Sequence, residues 1–247
     1  MWRLIRAELS YRVVLQAPAV AVVLALYLGL TALPDLLYLP AVPFPRKMTV
    51  AFVALSYLAV IGAFHHLTSP HGAWRRERRA RFLLALPVTP RQVGLARVLI
   101  PVLEWAGFCA TLLLALLLAG DWATFWSGGV WPRALATLTG AFWAGSSWLM
   151  GLDDLGERLG RGRRPRTVRL ADTLSTVAVA STVLFFVTFC LFLIRSLPGA
   201  PPPEPVRGAV TTFWFGSWTG AATLCLGGAA MLLASVGTFA WRRAYLA

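Results

Sequence analysis

The hydrophobic residues of the chain fall in long, nearly uninterrupted runs, without the alternation of a surface strand or the stripe of a surface helix. A helix that rises about 1.5 Å per residue needs about 20 residues to cross a hydrocarbon core of about 30 Å. Six runs approach or exceed that length, at residues 13–33, 48–67, 92–119, 130–150, 173–194 and 217–240. The pattern predicts an all-α membrane protein with six transmembrane helices, forming a single domain over residues 1–247.

The basic residues between these runs predict the orientation of the helices. Of the 23 lysine and arginine residues, 18 lie in or close to the N-terminal segment, the loops after the second and fourth runs, and the C-terminal tail, counting Arg97 near the start of the third run. The remaining 5 lie in or close to the other loops, counting Arg133 near the start of the fourth run. Because lysine and arginine accumulate on the cytoplasmic side of a membrane, both termini are predicted to be cytoplasmic.

Aromatic and amphipathic segments suggest where the chain meets the headgroups. Residues 2–12 place Trp2, Ile5 and Leu9 on one helical face and arginines elsewhere, which predicts an N-terminal elbow helix lying in the interface. The loop after the third run is rich in aromatic residues, which predicts an outer interfacial belt. Its members are Trp122, Phe125, Trp126 and Trp131.

Composition supports a lipid environment and disfavours nucleic acid as a partner. Hydrophobic residues make up 58% of the chain, mean hydropathy is +0.68, and the net charge is +13. The arginines cluster in short segments between apolar runs, which is typical of topology signals and lipid headgroup contacts. Cys109, Cys190 and Cys225 each fall within an apolar run, so we expect buried thiols without disulfides or metal.

The loop after the second run has an ordered pattern. Residues 74–86 contain no helix breaker, begin charged and end apolar, and Pro87 stops the predicted helix. Thr89 then supplies an N-cap, with Pro90 at the first helical position and Gln92 three residues after the cap. The loop therefore predicts a short charged helix, a turn and the restart of a membrane helix. A basic loop that binds anionic lipid is the alternative interpretation.

The segment RRERRARFLLALPVTPRQVGLAR, residues 75–97, resembles the cytoplasmic signature of ABC type 2 permeases. In that family a Glu among basic residues precedes a Leu-rich stretch, a Leu-Pro-Val-Ser/Thr turn and the third span. The resemblance implies that residues 74–86 form a coupling helix docked on a separate ATPase dimer. The residues implied to contact or orient that partner are Trp74, Glu77, Arg78, Arg81, Phe82, Leu86 and Pro87.

The resemblance also implies partners, cofactors and location. The chain lacks the G-x-x-x-x-G-K-[ST] phosphate loop, so no cofactor is expected in it, and ATP and magnesium are expected on the partner ATPase. A second permease copy or paralogue and membrane lipids complete the expected complex, in a bacterial cell membrane. Export of an apolar or amphipathic substrate is the expected activity, without enzymatic chemistry in this chain.

A few residues are candidates within the spans. Glu104 is the only acidic residue well inside an apolar run, and two roles remain open for it: a structural ion pair, or a substrate-path or gating residue. Phe185 and Phe189 share a face of the fifth run, which the resemblance places on the path between two permease chains. His65, His66 and His71 lack the convergent spacing of a metal site.

Two other classes of function are weighed against the permease. An ion-coupled secondary transporter or channel is the alternative, and it predicts inverted repeats or paired intramembrane charges. A membrane enzyme ranks below both, since the chain has neither an HExxH motif nor a recognisable nucleophile motif.

Overall fold

A computed structural model of the chain describes residues 20–34, 36–38, 40–68, 89–161 and 216–243, with single positions between 177 and 191. Apart from short turns and connections, these residues are helical, and they include no strand. The helices are α1 (Val20–Pro34), α2 (Phe44–Thr68), α3 (Pro90–Leu118), α4 (Trp122–Ser127), α5 (Val130–Arg161) and α6 (Trp218–Arg243). The described positions between 177 and 191 are also helical. The predicted all-α class is confirmed for this part of the chain.

The helices coincide with the apolar runs, and their ends differ from the predictions in one informative place. α5 was expected to end near residue 150, yet it continues to Arg161. Its last turns contain Asp153, Asp154 and Glu157. Such residues are compatible with a helix, but their charged side chains are costly in the hydrocarbon core of a bilayer. Run length therefore marks the apolar part of α5 and misses its polar extension. The predicted elbow helix at residues 2–12 lies outside the described residues.

Two stretches of the described residues are long and apolar enough to cross a bilayer, namely Val98–Leu118 in α3 and Trp218–Val236 in α6. Only 39% and 22% of their most apolar windows are buried within the chain. The core helix of a soluble protein buries most of such a surface, so these two helices favour membrane association.

α5 and α6 pack against each other in parallel and share the most extensive contact among the labelled helices. The Cys225 thiol donates a hydrogen bond to the Ala136 carbonyl at 2.9 Å, and one turn further along both helices Gly228 meets Gly140 and Ala144. Because the N-terminal ends of both helices lie at the same end of the bundle, the intervening chain must return along its length.

α3 and α5 form an antiparallel hairpin across the short helix α4. The Trp105 indole N–H donates to the Thr139 hydroxyl at 2.8 Å, and its ring stacks on Phe142 with centroids 4.6 Å apart. α1 and α2 pack beside this hairpin, and together α1 to α5 enclose an apolar cluster. The most deeply buried members of this cluster are Tyr27, Met48, Phe52, Leu112, Leu116, Phe125 and Leu138.

The aromatic residues near α4 divide into two groups, contrary to the prediction of a single interfacial belt. Trp122 and Trp126 are exposed, as a belt requires, whereas Phe125 is fully buried and Trp131 nearly so. The Trp131 ring lies 6.1 Å from that of Phe44 and 5.9 Å from that of Phe52. Trp131 is therefore a core residue at the contact between α5 and α2.

Candidate functional site

The residues predicted to dock on an ATPase lie outside the described residues, from Trp74 to Pro87. What the structure describes is the helix that follows them. The side chains of His65 and His66, and the whole of His71, are likewise outside the described part. The described residues that bear on function lie at the start of α3, in its middle, and at the opposite end of the bundle.

α3 begins with the cap that the sequence predicts. The backbone N–H of Gln92 donates to the Thr89 hydroxyl at 3.3 Å, and the Thr89 N–H donates to the Gln92 side-chain oxygen at 2.9 Å. Thr89 has an extended backbone and Pro90 occupies the first helical turn. These reciprocal bonds satisfy two backbone groups that a helix start otherwise leaves open. Thr89, the first described residue after position 88, is thereby bonded to the first turn of α3.

Glu104 lies in the middle of α3, half-buried, three residues after Pro101. A proline inside a helix removes one backbone hydrogen bond and favours a bend there. The adjacent Trp105 is 2% exposed and anchors this part of α3 to α5 through Thr139 and Phe142. Glu104 is thus placed on a firmly packed helix, and both of its predicted roles remain open.

The aromatic residues predicted for a substrate path are only partly described. Phe185 is half-buried and packs against the apolar cluster of α1, α2, α3 and α5. Its neighbours Leu184 and Val187 are exposed, at 66% and 49%. This helical segment therefore has one face toward the cluster, which holds Phe185, and one face away from it. Phe189 lies outside the described residues.

A buried polar cluster joins three parts of the chain at the end of the bundle where α2 and α5 begin. We call Tyr27, Thr31, Lys47 and Asp121 the polar clamp. The Lys47 ammonium forms an ion pair with the Asp121 carboxylate at 2.5 Å, and the Tyr27 hydroxyl donates to the same oxygen at 2.9 Å. Lys47 also donates to the Thr31 hydroxyl at 3.5 Å and lies 5.8 Å from the centroid of the Tyr27 ring.

The backbone around Asp121 holds its carboxylate in place. Gly120 has φ +72°, a left-handed conformation that ends α3 and favours glycine. The Asp121 N–H then donates to the Leu116 carbonyl at 3.0 Å, and the Asp121 carbonyl accepts from the Phe125 N–H at 3.0 Å. The fully buried ring of Phe125 anchors α4 in the apolar cluster. The bond from its N–H therefore holds Asp121 from the C-terminal side. The clamp is therefore positioned by α3 and α4 together.

The polar clamp has only a weak signal in the sequence. Lys47 is the only lysine of the chain, and Asp121 directly follows the end of an apolar run. Lys47 stands out as a single lysine beside 22 arginines, and its compact ammonium reaches both the Asp121 carboxylate and the Thr31 hydroxyl. Its partner is 74 residues away and follows from no local pattern.

The comparisons with known proteins identify no relative. The chain matches no family model, no curated protein and no solved structure.

Proposed function

We propose that the chain is the membrane-spanning permease subunit of an ATP-driven transporter of the ABC type 2 class. In this proposal six helices cross a bacterial cell membrane, with both termini in the cytoplasm. A separate ATPase dimer docks on residues 74–86, and a second permease chain completes the pathway. An apolar or amphipathic compound is exported, since few charged residues lie within the apolar runs.

The observation that carries the proposal is the segment at residues 75–97, with its Glu77 among arginines, its Leu-Pro-Val-Thr turn and its capped restart. The reciprocal cap at Thr89 and Gln92 supports it from the structural side. A loop pushed by a partner transmits movement to a span only when the loop ends in a rigid helix start. The cap and Pro90 provide such a start.

The arrangement of the helices supports six spans. α5 and α6 are parallel, so the chain between them must run the length of the bundle once more. The described positions from 177 to 191 belong to this intervening segment, are helical, and fall within the fifth apolar run at 173–194, which supports a span there. α3 and α5 form an antiparallel hairpin, as consecutive third and fourth spans should.

Co-purification tests the proposal directly. The tagged chain, extracted from its native membrane in mild detergent, should bring with it a second subunit that carries a Walker A phosphate loop and hydrolyses ATP. Reconstituted together, the two should move substrate only when ATP is supplied. A chain that is purified without any ATPase, and that transports without ATP, would contradict the proposal.

Substitutions in the docking segment make the test specific. Glu77→Arg and Phe82→Asp should weaken ATPase binding and uncouple hydrolysis from transport, while the protein still inserts into the membrane. Arg79→Glu reverses a charge at a position outside the implied contact set, so it is the matched control and should retain coupling. Equal losses in all three variants would indicate a general effect of loop charge on lipid or topology.

The alternative is an ion-coupled secondary transporter or channel, and one observation bears on it. The pair Lys47–Asp121 is a buried charge pair, which that class predicts. Both residues, however, lie at helix ends, one at the start of α2 and one after α3. Transport driven by a proton or sodium gradient in the absence of ATP would favour this class over the permease.

A further inference from the structure

The polar clamp and the aromatic contacts beside it tie α1 and α2 to the α3–α5 hairpin at one end of the bundle. Asp121, held by α3 and α4, accepts from Tyr27 of α1 and pairs with Lys47 of α2. Phe44 and Phe52 of α2 lie against Trp131 of α5. Polar and apolar contacts therefore coincide at this end.

These contacts are difficult to separate, for two reasons. The side chains of Lys47 and Asp121 are 9% and 17% exposed, so parting them leaves two charges in surroundings that solvate neither well. Next to them Met48, Phe52 and Phe125 have no exposed surface, and opening the contact would leave a void between α2, α4 and α5.

The chain itself joins α2 and α3 at the opposite end. α2 ends at Thr68 and α3 begins at Pro90, so the 69–88 loop connects their other ends. A force on that loop therefore acts on both helices at one end, whereas the polar clamp restrains them at the other. α2 and α3 are thus restrained relative to each other at the clamp end, and a force on the connecting chain acts at their other ends.

We propose that the polar clamp is a fixed pivot, about which α2, together with α1, tilts against α3 during transport. The ion pair Lys47–Asp121 stays closed throughout the cycle, and the movement grows with distance from it, toward the 69–88 loop. This inference rests on the proposed function, because it takes the loop as the point where force enters. It excludes the opposite behaviour, in which the clamp end opens as a gate.

Crosslinking at the clamp distinguishes a pivot from a gate. Cys109, Cys190 and Cys225 are first replaced by serine, since all three are free thiols. Lys47→Cys and Asp121→Cys are then introduced together and joined by a short bifunctional thiol reagent in the reconstituted complex with its ATPase. We expect crosslinked protein to retain at least half of the ATP-driven transport of the same protein before crosslinking. Loss of more than half of transport, restored when a cleavable crosslink is reduced, would overturn the pivot.

A second cysteine pair covers the case in which the first variant fails to fold. Phe44→Cys with Trp131→Cys links α2 to α5 at the same end and leaves the ion pair intact. The same retention is expected, and the same reversible loss would refute the pivot. If the cysteine-free chain, with the native residues at both crosslinking sites, shows no ATP-driven transport with its ATPase, the proposed function is refuted, and the pivot with it. Transport by a double-cysteine variant before crosslinking but not after it refutes the pivot alone.

Discussion

Gly228 of α6 lies directly against Gly140 of α5, and each position excludes any larger side chain. A Cβ atom added at Gly228 would lie 2.6 Å from the Gly140 carbonyl oxygen and 3.1 Å from the Ala144 nitrogen. A Cβ added at Gly140 would lie 2.7 Å from the Leu224 carbonyl oxygen. The two helices thus approach backbone to backbone, the kind of contact that small residues permit in membranes.

The adjacent glycine provides a matched test of this contact. Gly228→Ala should lower the free energy of unfolding by about 1–3 kcal/mol, since the new methyl group overlaps backbone that cannot move aside. Gly227 has open space around its Cα, so Gly227→Ala should be neutral or stabilise α6 by up to about 1 kcal/mol. Thermal unfolding in detergent measures both. Equal shifts in the two variants would contradict the close approach.

Removing one partner of the ion pair should cost more than removing both. Lys47→Met leaves Asp121 charged and poorly solvated, and we expect a loss of about 3–5 kcal/mol. Lys47→Met combined with Asp121→Asn should recover most of that loss, because Tyr27 can still donate to the amide oxygen. The neighbouring Arg46 is exposed, so Arg46→Met is the control and should change stability by less than about 0.5 kcal/mol. An additive double variant would show that the two charges do not interact.

The bond between Trp105 and Thr139 should be measurable as a link between α3 and α5. Thr139→Val removes the acceptor of the buried indole N–H and should lower stability by about 0.5–1.5 kcal/mol, the range typical of a single hydrogen bond within a protein. Thr111 donates only to the Gly107 carbonyl of its own helix among the described contacts, so Thr111→Val is the control. Trp105→Phe combined with Thr139→Val should cost less than the sum of the single changes. Strict additivity would argue against the bond.

The cap of α3 should affect both local order and coupling. Thr89→Ala removes the acceptor for the Gln92 N–H and should destabilise the start of α3 by about 1 kcal/mol, whereas Thr89→Ser keeps the hydroxyl. Hydrogen exchange at the Gln92 amide should accelerate about fivefold in the alanine variant and remain near the parent rate in the serine variant. If the proposed coupling is correct, transport per ATP hydrolysed should fall in parallel. Unchanged exchange in Thr89→Ala would contradict the cap.

Local patterns in the sequence predicted the features that depend on neighbouring residues. The positions of α2, α3, α5 and α6 follow from run length, because a helix in an apolar medium must satisfy its own backbone groups. The cap at Thr89 and Gln92 follows from a three-residue spacing and is confirmed in detail. The docking segment was also predicted from the local succession of residues, through the resemblance to ABC type 2 permeases. It lies outside the described residues and stays a prediction.

Contacts between distant residues were decided only by the tertiary structure. Lys47 and Asp121 are 74 residues apart, and neither the lone lysine nor the aspartate identifies the other. Nothing in the sequence distinguishes Gly227 from Gly228. The rotation of α6 against α5 decides that Gly228, and not Gly227, meets Gly140. Trp131 was predicted to be interfacial from its place in the sequence, whereas the packing of α5 on α2 brings its ring against Phe44 and Phe52. The sequence by itself determined where α2, α3, α6 and the apolar part of α5 lie, since hydrophobicity and capping act within a few residues. Which faces of those helices meet was decided by the packing of the whole bundle, since it depends on how distant side chains fit together.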